Sequence, residues 1–144
     1  MSDLITAHGI TYVRKRLGVY KYELQRRYEH PEPVAIRPAT PVDHPFMTLS
    51  TTGALTVEDK YAWDGASGPV PDTPDVMRAS LVHDALYQMI RQKLVPWNWG
   101  RNRKHADAAF RDTCIADGMS PAKATLLYHG LRLIGAPATW RFLR

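Results

Sequence analysis

The sequence has a single cysteine, Cys114. One thiol cannot form an internal disulfide, so the fold does not depend on an oxidising compartment. The first residues, MSDLITAHGITYVRKR, lack the apolar run and the cleavage site of a signal peptide. No apolar run approaches the roughly 20 residues of a membrane span. We therefore expect the chain to be made and folded in a cytoplasm, from which it could still leave as part of a larger assembly.

A strong charge imbalance is also absent. The 144 residues include 19 Lys and Arg against 14 Asp and Glu, which gives a net charge of +5 and a pI of about 9.5. This excess permits an acidic partner: nucleic acid, an anionic membrane surface or an acidic protein face. Scattered basic residues that only solvate the surface explain it more simply. No recognised nucleic-acid-binding motif occurs, so a nucleic-acid partner is not expected.

Helix-compatible sequence is lacking from the first half of the chain. Helices tolerate the proline spacing of HPEPVAIRPATPVDHP badly. The segments GITYVRKR, VYKYELQRRY and FMTLSTTGALTV predict short antiparallel strands. The second half predicts three helices, TPDVMRASLVHDALYQMIRQKL, RNRKHADAAFRDTCIADG and SPAKATLLYHGLRLIG. We expect one α+β domain, 1–144, with a β-rich half at 1–72 and a helical half at 73–144.

Boundary residues mark where these helices begin and end. Thr73 is the candidate N-cap of the first helix, and Pro74 follows it at the first helical position. Gly118 ends the second helix. Ser120 is the candidate N-cap of the third helix, which Gly135 stops.

A histidine and an aspartate occupy matching positions on the first two helices. His83 follows Val82 at the edge of one apolar stripe, and Asp107 follows Ala106 at the edge of the other. In an antiparallel pair packed stripe to stripe, equal offsets fall on the same side of the seam, so His83 and Asp107 are expected to meet. The stripes consist of Val82, Ala85, Leu86, Met89 and Ile90 on the first helix and of Ala106, Ala109, Phe110 and Thr113 on the second.

Such a pair is suited to acid–base chemistry. An Asp that accepts the imidazole Nδ1–H fixes the tautomer and leaves Nε2 free to act as a base. A structural alternative stays open. His83 is then a boundary residue with one hydrogen bond, and Asp107 is an ion-pair partner of Arg103 or Arg111.

The segment YAWDGASGPVPD, residues 61–72, precedes the His83 helix. Its Asp-Gly and Gly-Pro steps predict a tight, irregular loop. Carbonyl oxygens around Asp64, Gly65 and Gly68, together with the Asp84 carboxylate, could hold a hard cation such as Ca²⁺. A plain turn between strand and helix is the simpler interpretation of this loop.

The segment PWNWGRNRK joins the first two helices. Two Trp residues in it are followed by basic side chains, a combination that suits contact with lipid headgroups, nucleic acid bases or a protein partner. A loop that Trp residues pin between the helices is the favoured alternative. The contact residues would be Trp97, Trp99, Arg101, Arg103 and Lys104.

Four motifs, in order, resemble the family called domain of unknown function 1353, which is widespread in phage and prophage genomes. They run from about Trp63 to Trp140 as WDGASGP, ASLVHDALYQ, RNRKHADAAF and DGMSPAKATLLYHGLRLIGAPATW. The resemblance implies a viral or prophage product, made in a bacterial host cytoplasm and associated with other virion proteins or the host envelope. It implies no activity.

The His-Asp helix pair also resembles bacterial phospholipase A-two enzymes. In that resemblance His83 is the base that activates water and Asp107 orients it. Asp84 binds calcium with carbonyls of the 64–68 loop, and Tyr87 matches the Tyr that follows the His-Asp pair.

Two classes of function remain open at this point. One is a small metal-assisted hydrolase acting on an ester or phospholipid at the host envelope. The other is a non-catalytic virion component, such as a tail or baseplate protein, which docks through its strand half and basic faces.

Overall fold

The computed structural model describes residues 3–66 and 70–134. Within them, eight short strands precede three α-helices, which confirms the predicted α+β class. None of the helices in these residues is long and apolar enough to cross a membrane. The strands are β1 (Leu4–Ala7), β2 (Ile10–Arg14), β3 (Tyr22–Leu24), β4 (Tyr28–Glu29), β5 (Val42–His44), β6 (Met47–Leu49), β7 (Leu55–Val57) and β8 (Ala62–Trp63), and the helices are α1 (Pro74–Arg91), α2 (Arg101–Ala116) and α3 (Pro121–Ile134).

The first sheet has the antiparallel strand order β1-β2-β3-β8. Its first hairpin turns at His8 and Gly9, which both have positive φ, of 50° and 85°. Two left-handed residues in a two-residue turn match the twist of the flanking strands. Trp63 closes the sheet beside β3, and its indole N–H donates to Ser80 Oγ at 2.9 Å. This bond ties the first sheet to α1.

The second sheet has the antiparallel order β4-β7-β6-β5. In β6 and β7, buried residues flank a half-buried Thr at the centre, the period-two pattern of a sheet with one face on the core. Ser50 closes the turn between β6 and β7, because its Oγ accepts from the backbone N–H of Ala54 at 2.9 Å. Both sheets therefore present an apolar face to the helices.

The first helix, α1, is buried on more sides than the single apolar stripe predicted. Fourteen of its 18 residues are buried. The reason is that α1 contributes to two clusters, one with both sheets and one with α2 and α3. A helix covered on opposite sides has few surface positions, so its polar residues need partners inside the protein.

The helix α1 begins where the sequence predicts, but the Thr73 side chain does not cap it. Thr73 occupies the N-cap position, but its hydroxyl donates to the Asp75 carboxylate at 2.5 Å instead of bonding the helix backbone. Pro74 is the first helical residue, where a missing N–H costs nothing.

The end of α2 and the start of α3 lie next to the boundary residues that the sequence predicts. Gly118 follows α2 in the left-handed conformation, with φ of 105°. Ser120 Oγ accepts from the backbone N–H of Lys123 at 3.3 Å, as expected of an N-cap. Gly135, the predicted stop of α3, lies outside the described residues.

The helices α1 and α2 run antiparallel, as predicted. Arg78, near the start of α1, pairs at 2.8 Å with Asp117, which follows the end of α2. His83, further along α1, contacts Asp107, which lies earlier in α2. As the residue number increases along α1, the residue number of its partner decreases along α2, so the two helices are antiparallel.

Candidate functional site

His83 and Asp107 meet as their positions on the two helices predict. His83 Nε2 lies 2.8 Å from Asp107 Oδ1. One turn along α1, the Tyr87 hydroxyl donates to the same oxygen at 2.5 Å. The His83 ring stacks between Tyr87 and Phe110, with centroid distances of 4.0 Å and 5.6 Å. The imidazole is therefore held by a hydrogen bond at one edge and by aromatic rings beside it.

The second oxygen of Asp107 binds two arginines. Arg132 of α3 donates from Nη1 to Oδ2 at 2.7 Å, and Arg103 does so at 3.4 Å. Arg103 also donates to the carbonyl oxygen of Leu131 at 3.2 Å, which fixes the end of α3 against α2. The ion pair with Arg103, considered as a structural alternative, thus coexists with the contact to His83. We name His83, Tyr87, Arg103, Asp107 and Arg132 together the Asp107 cluster.

The Asp107 carboxylate is the charged centre of this cluster and has no exposed surface. Burial by itself raises the pKa of a carboxyl group, because it disfavours the charged form. Hydrogen bonds from His83, Tyr87 and Arg132, and the positive charge that His83 carries when it is protonated, act the other way, and the pKa of Asp107 is lowered. Burial and the neighbouring carboxylate raise the pKa of Tyr87. Asp107 is therefore an anion, and Tyr87 a neutral donor, at neutral pH.

The tautomer of His83 is the reverse of the one predicted. Asp107 is an anion and accepts from Nε2, so Nε2 carries the proton of neutral His83. The basic lone pair is then on Nδ1, which has no hydrogen-bond partner in the described residues. The sequence fixes only that the two residues share a side of the helix pair; the ring's approach depends on its side-chain rotamer.

Asp84, the proposed calcium ligand, lies on another face of α1 and contacts the sheet side. Its Oδ2 accepts from the Tyr61 hydroxyl at 2.6 Å, and Gln88 Oε1 lies 3.0 Å from the same hydroxyl. Burial, and then the charge of Asp84, raise the pKa of Tyr61 well above its usual value. The Tyr61 hydroxyl is therefore a permanent donor to Asp84.

The proposed calcium loop is organised by Asp72. Its Oδ1 accepts from the backbone N–H of Ala66 at 2.9 Å, and its Oδ2 accepts from the Tyr22 hydroxyl at 2.7 Å. Gly65 has φ of 80°, a left-handed conformation that favours glycine, and a Cβ there would displace the Asp72 carboxylate that organises the loop. Asp64 accepts from the backbone N–H of Lys21 at 3.1 Å.

Gly68, the remaining proposed calcium ligand, lies outside the described residues. Within 3–66 and 70–134, no group of three or more His, Cys, Asp or Glu side chains is arranged to hold a metal ion. A calcium site at this loop stays a prediction.

The interhelical segment divides into exposed and internal residues. Trp99 is 97% exposed, and Arg101 and Lys104 are exposed beside it. Trp97 packs against the core, and Arg103 belongs to the Asp107 cluster. Of the five residues proposed for partner contact, Arg103 is buried and bonded internally, so the exposed surface that remains is smaller than predicted.

The contacts of two members of the Asp107 cluster, Arg132 and Tyr87, with the Asp107 carboxylate were not predicted from the sequence. Arg132 was not singled out, because no periodicity shows that the end of α3 packs against the start of α2. Tyr87 lies one helical turn after His83, which predicts a shared neighbour, but only the resemblance gave it a role at the site.

Residues 42–131 match the family described as Protein of unknown function (DUF1353). This match spans more than half of the chain, and the chain belongs to that family. It begins earlier than the motifs suggest, inside the second sheet, and it contains both halves of the His83–Asp107 pair. No curated protein and no solved structure matches the chain.

Proposed function

We propose that this chain is a phage- or prophage-type accessory protein that hydrolyses an ester, with phospholipid as the first candidate substrate, at the host envelope. One observation carries the proposal: Asp107 accepts from His83 Nε2, which leaves Nδ1 as a basic nitrogen with no hydrogen bond in the described residues. A His held in one tautomer by a buried carboxylate is a recurrent general base.

In the proposed reaction, His83 Nδ1 removes a proton from a water molecule as the water oxygen attacks the ester carbonyl carbon. The bond from that carbon to the alcohol oxygen then breaks, and the proton on Nδ1 passes to the departing alkoxide. The products are a carboxylic acid and an alcohol, and His83 returns to its neutral form. Asp107 stabilises the imidazolium that exists between the two proton transfers.

The remaining members of the Asp107 cluster support this cycle by holding the carboxylate. Tyr87 shares Oδ1 with His83, while Arg103 and Arg132 occupy Oδ2. Asp107 therefore cannot rotate away from the imidazole without losing several bonds. Only 6% of the His83 side chain is exposed, so the proposed reaction requires that water and ester reach this small surface.

Calcium is the second part of the proposal. Asp84 and the carbonyl oxygens of residues 64–68 would hold the ion, which supplies positive charge to polarise an ester carbonyl. The resemblance to bacterial phospholipase A-two suggests it. The steps at His83 and Asp107 do not depend on it.

A non-catalytic virion role is the second candidate. Large apolar side chains that are more than two-thirds exposed favour it where they lie together, as two do seven residues apart on one face of α3, because contiguous apolar surface is commonly covered by a partner. These side chains are Leu17, Val19, Trp99, Leu126 and Leu133. In this reading the Asp107 cluster stabilises the fold and performs no reaction.

The deciding experiment compares wild type with His83→Ala on mixed phospholipid vesicles containing calcium, beside a thermal melt. We expect the variant to remain folded and to lose about 10²–10⁴-fold in fatty-acid release, the usual value of general-base catalysis. His129→Ala, an exposed His on α3, is the matched control and should retain activity. If wild type releases fatty acid only at the no-protein rate, the hydrolase proposal fails for these substrates and the virion role is favoured.

A further inference from the structure

A second polar site lies on the opposite side of α2 from the Asp107 cluster. Two cavities of about 510 Å³ and 290 Å³ adjoin there, since Arg78 and Pro31 line both. We call the larger the basin and the smaller the groove. His105 and Asp112 of α2 line the groove. At 100° per residue, both point away from the side of α2 that bears Asp107.

A chain of hydrogen bonds runs behind both cavities. Arg78 binds the Asp117 carboxylate through Nε and Nη2, with a shortest distance of 2.8 Å. Its Nη1 donates to the Tyr28 hydroxyl at 2.9 Å. That hydroxyl lies 2.7 Å from His30 Nδ1. We name Tyr28, His30, Arg78 and Asp117 the Arg78 cluster.

The direction of these bonds sets the tautomer of His30. Arg78 can only donate, so the Tyr28 oxygen accepts from it, and His30 Nδ1 is the one acceptor that the described residues offer to the proton of the buried Tyr28 hydroxyl. His30 Nδ1 is therefore the acceptor, and the proton of the neutral ring is on Nε2. Burial, and then the charge of Arg78, lower the pKa of His30 to about 4, which agrees with a neutral ring.

Unused donors remain at this site. A guanidinium has five N–H bonds, and the contacts with Asp117 and Tyr28 use three of them, which leaves two on Arg78. The His30 Nε2–H has no acceptor in the described residues. Arg78 is buried and lines both cavities, and His30 lines the groove, so these donors belong to residues of the cavity walls.

The charges around the cavities oppose an anionic ligand. Asp117 neutralises Arg78, and Arg27 in the basin already pairs with Glu58 at 3.2 Å. Of the carboxylates on the walls, Glu32 has no ion pair in the described residues, whereas Glu29 lies 3.7 Å from Arg27 and Asp112 pairs with Arg111 at 3.0 Å. Because both arginines that line the cavities are already paired, the site offers N–H donors without a free positive charge, which suits an uncharged acceptor oxygen better than a carboxylate or a phosphate.

The groove also offers apolar contact. Val34 and Pro33 form part of one wall, and small side chains of α2, among them Ala108 and Ala109, form the other. A volume of about 290 Å³ is near the lower limit for a small-molecule site. An alkyl or small aromatic group fits such a slot with its polar end towards Arg78.

We propose that the basin and groove bind an uncharged carbonyl compound, an amide or an ester, which places its carbonyl oxygen on the Arg78 and His30 N–H groups and its apolar group in the groove. This site is separate from the one at His83 and does not require that the protein be a hydrolase.

The test uses three probes of similar length and different polar end: hexanamide, methyl pentanoate and hexanoate. Binding to the folded chain is followed at millimolar probe concentrations through the backbone amide resonances of residues 105–116 and of the non-proline residues between 30 and 35. We expect hexanamide or methyl pentanoate to shift these resonances saturably, and comparison of the two identifies amide or ester as the preferred carbonyl. Hexanoate should bind at least about tenfold more weakly than the better of the two. Equal or tighter binding of hexanoate, or no binding of either uncharged probe, would overturn the proposal.

Variants locate the bound probe. Ala108→Phe fills the groove and should abolish binding, whereas Ala122→Phe, at an exposed position on α3, should not. His30→Asn keeps an acceptor near Nδ1 but removes the Nε2 donor, so we expect about tenfold weaker binding, with His30→Gln less affected. Binding that survives Ala108→Phe would contradict the assignment to this site.

Discussion

The Asp107 cluster and the Arg78 cluster use the same residue types in opposite arrangements. At Asp107 the carboxylate is the centre, and it accepts from His83, Tyr87 and two arginines. At Arg78 the guanidinium is the centre, and it donates to Asp117 and to Tyr28. The central charge decides what the histidine can do. His83 donates from Nε2 to the Asp107 anion, so its Nδ1 remains a basic nitrogen. His30 accepts at Nδ1 from Tyr28, which itself accepts from the Arg78 cation, so its Nε2–H remains a donor.

The comparison predicts that removing the central anion is the most damaging change. Asp107→Ala leaves the charges of Arg103 and Arg132 without their counter-ion in the protein. We expect the free energy of unfolding to fall by about 3–5 kcal/mol, measured by denaturant titration.

Asp112→Ala is the matched control, because Asp112 also lies on α2 and pairs with an arginine but is 67% exposed. Its loss should cost at most about 1 kcal/mol. Equal losses for the two variants would mean that the Asp107 cluster is not the stabilising centre described above.

A milder change at Asp107 distinguishes its role in orienting the His83 ring from the effect of its negative charge. Asp107→Asn keeps the shape but removes the anion, and its amide can present either an oxygen or an N–H to His83. We expect ester hydrolysis to fall by less than in His83→Ala, for which the loss is about 10²–10⁴-fold. Hydrolysis rates on the same vesicles check this. A larger loss in Asp107→Asn than in His83→Ala would argue against His83 as the base.

Acid should affect the Arg78 cluster in a defined pH window. Folded His30 has its pKa lowered from 6.5 to about 4, so between these values the unfolded chain binds more protons than the native one. The stabilising contribution of neutral His30 is complete above about pH 6.5 and is lost as the pH falls towards about 4.

Urea titrations of wild type and His30→Asn across this range test the window. As the pH falls, the unfolding free energy of wild type should decrease more than that of His30→Asn, because only wild type carries the imidazole at position 30. Curves that stay parallel from pH 7 to pH 4 would rule out a lowered pKa at His30.

Calcium should have the smallest effect. If Asp84 and the 64–68 loop bind the ion, calcium raises the melting temperature, because it binds only the native state. At a calcium concentration equal to the dissociation constant the gain is about 0.4 kcal/mol. Asp84→Asn should remove this response, and Asp112→Asn should not. A calorimetric titration of wild type without binding heat would remove calcium from the proposal and leave the His83 mechanism intact.

Much of the fold could be predicted from local sequence. Proline spacing disfavours helix in the first half, and Thr73-Pro74 and Gly118 mark helix boundaries that the structure confirms. The meeting of His83 and Asp107 was also predictable, because a helix turns by a constant angle per residue and one pairing direction brings equal offsets together. Local geometry of this kind repeats along the chain and can be read from spacing.

The partners that complete each cluster could not be predicted in this way. Arg132 reaches Asp107 from 25 residues away, and Arg78 reaches Tyr28 across 50 residues. The rotamer of His83, which selects Nε2 rather than Nδ1, depends on how the neighbouring rings pack. No periodicity encodes these contacts.

The sequence by itself determined where strands give way to helices and that one His and one Asp share a side of the α1–α2 pair. Only the tertiary structure decided which nitrogen of His83 remains basic, that two arginines neutralise Asp107, and that a second cluster with the opposite central charge lies across α2. The physical reason is that periodicity fixes directions along an element. The partners of a buried charge are instead chosen by the packing of all elements at once, since each buried polar group must find a counterpart within hydrogen-bond reach.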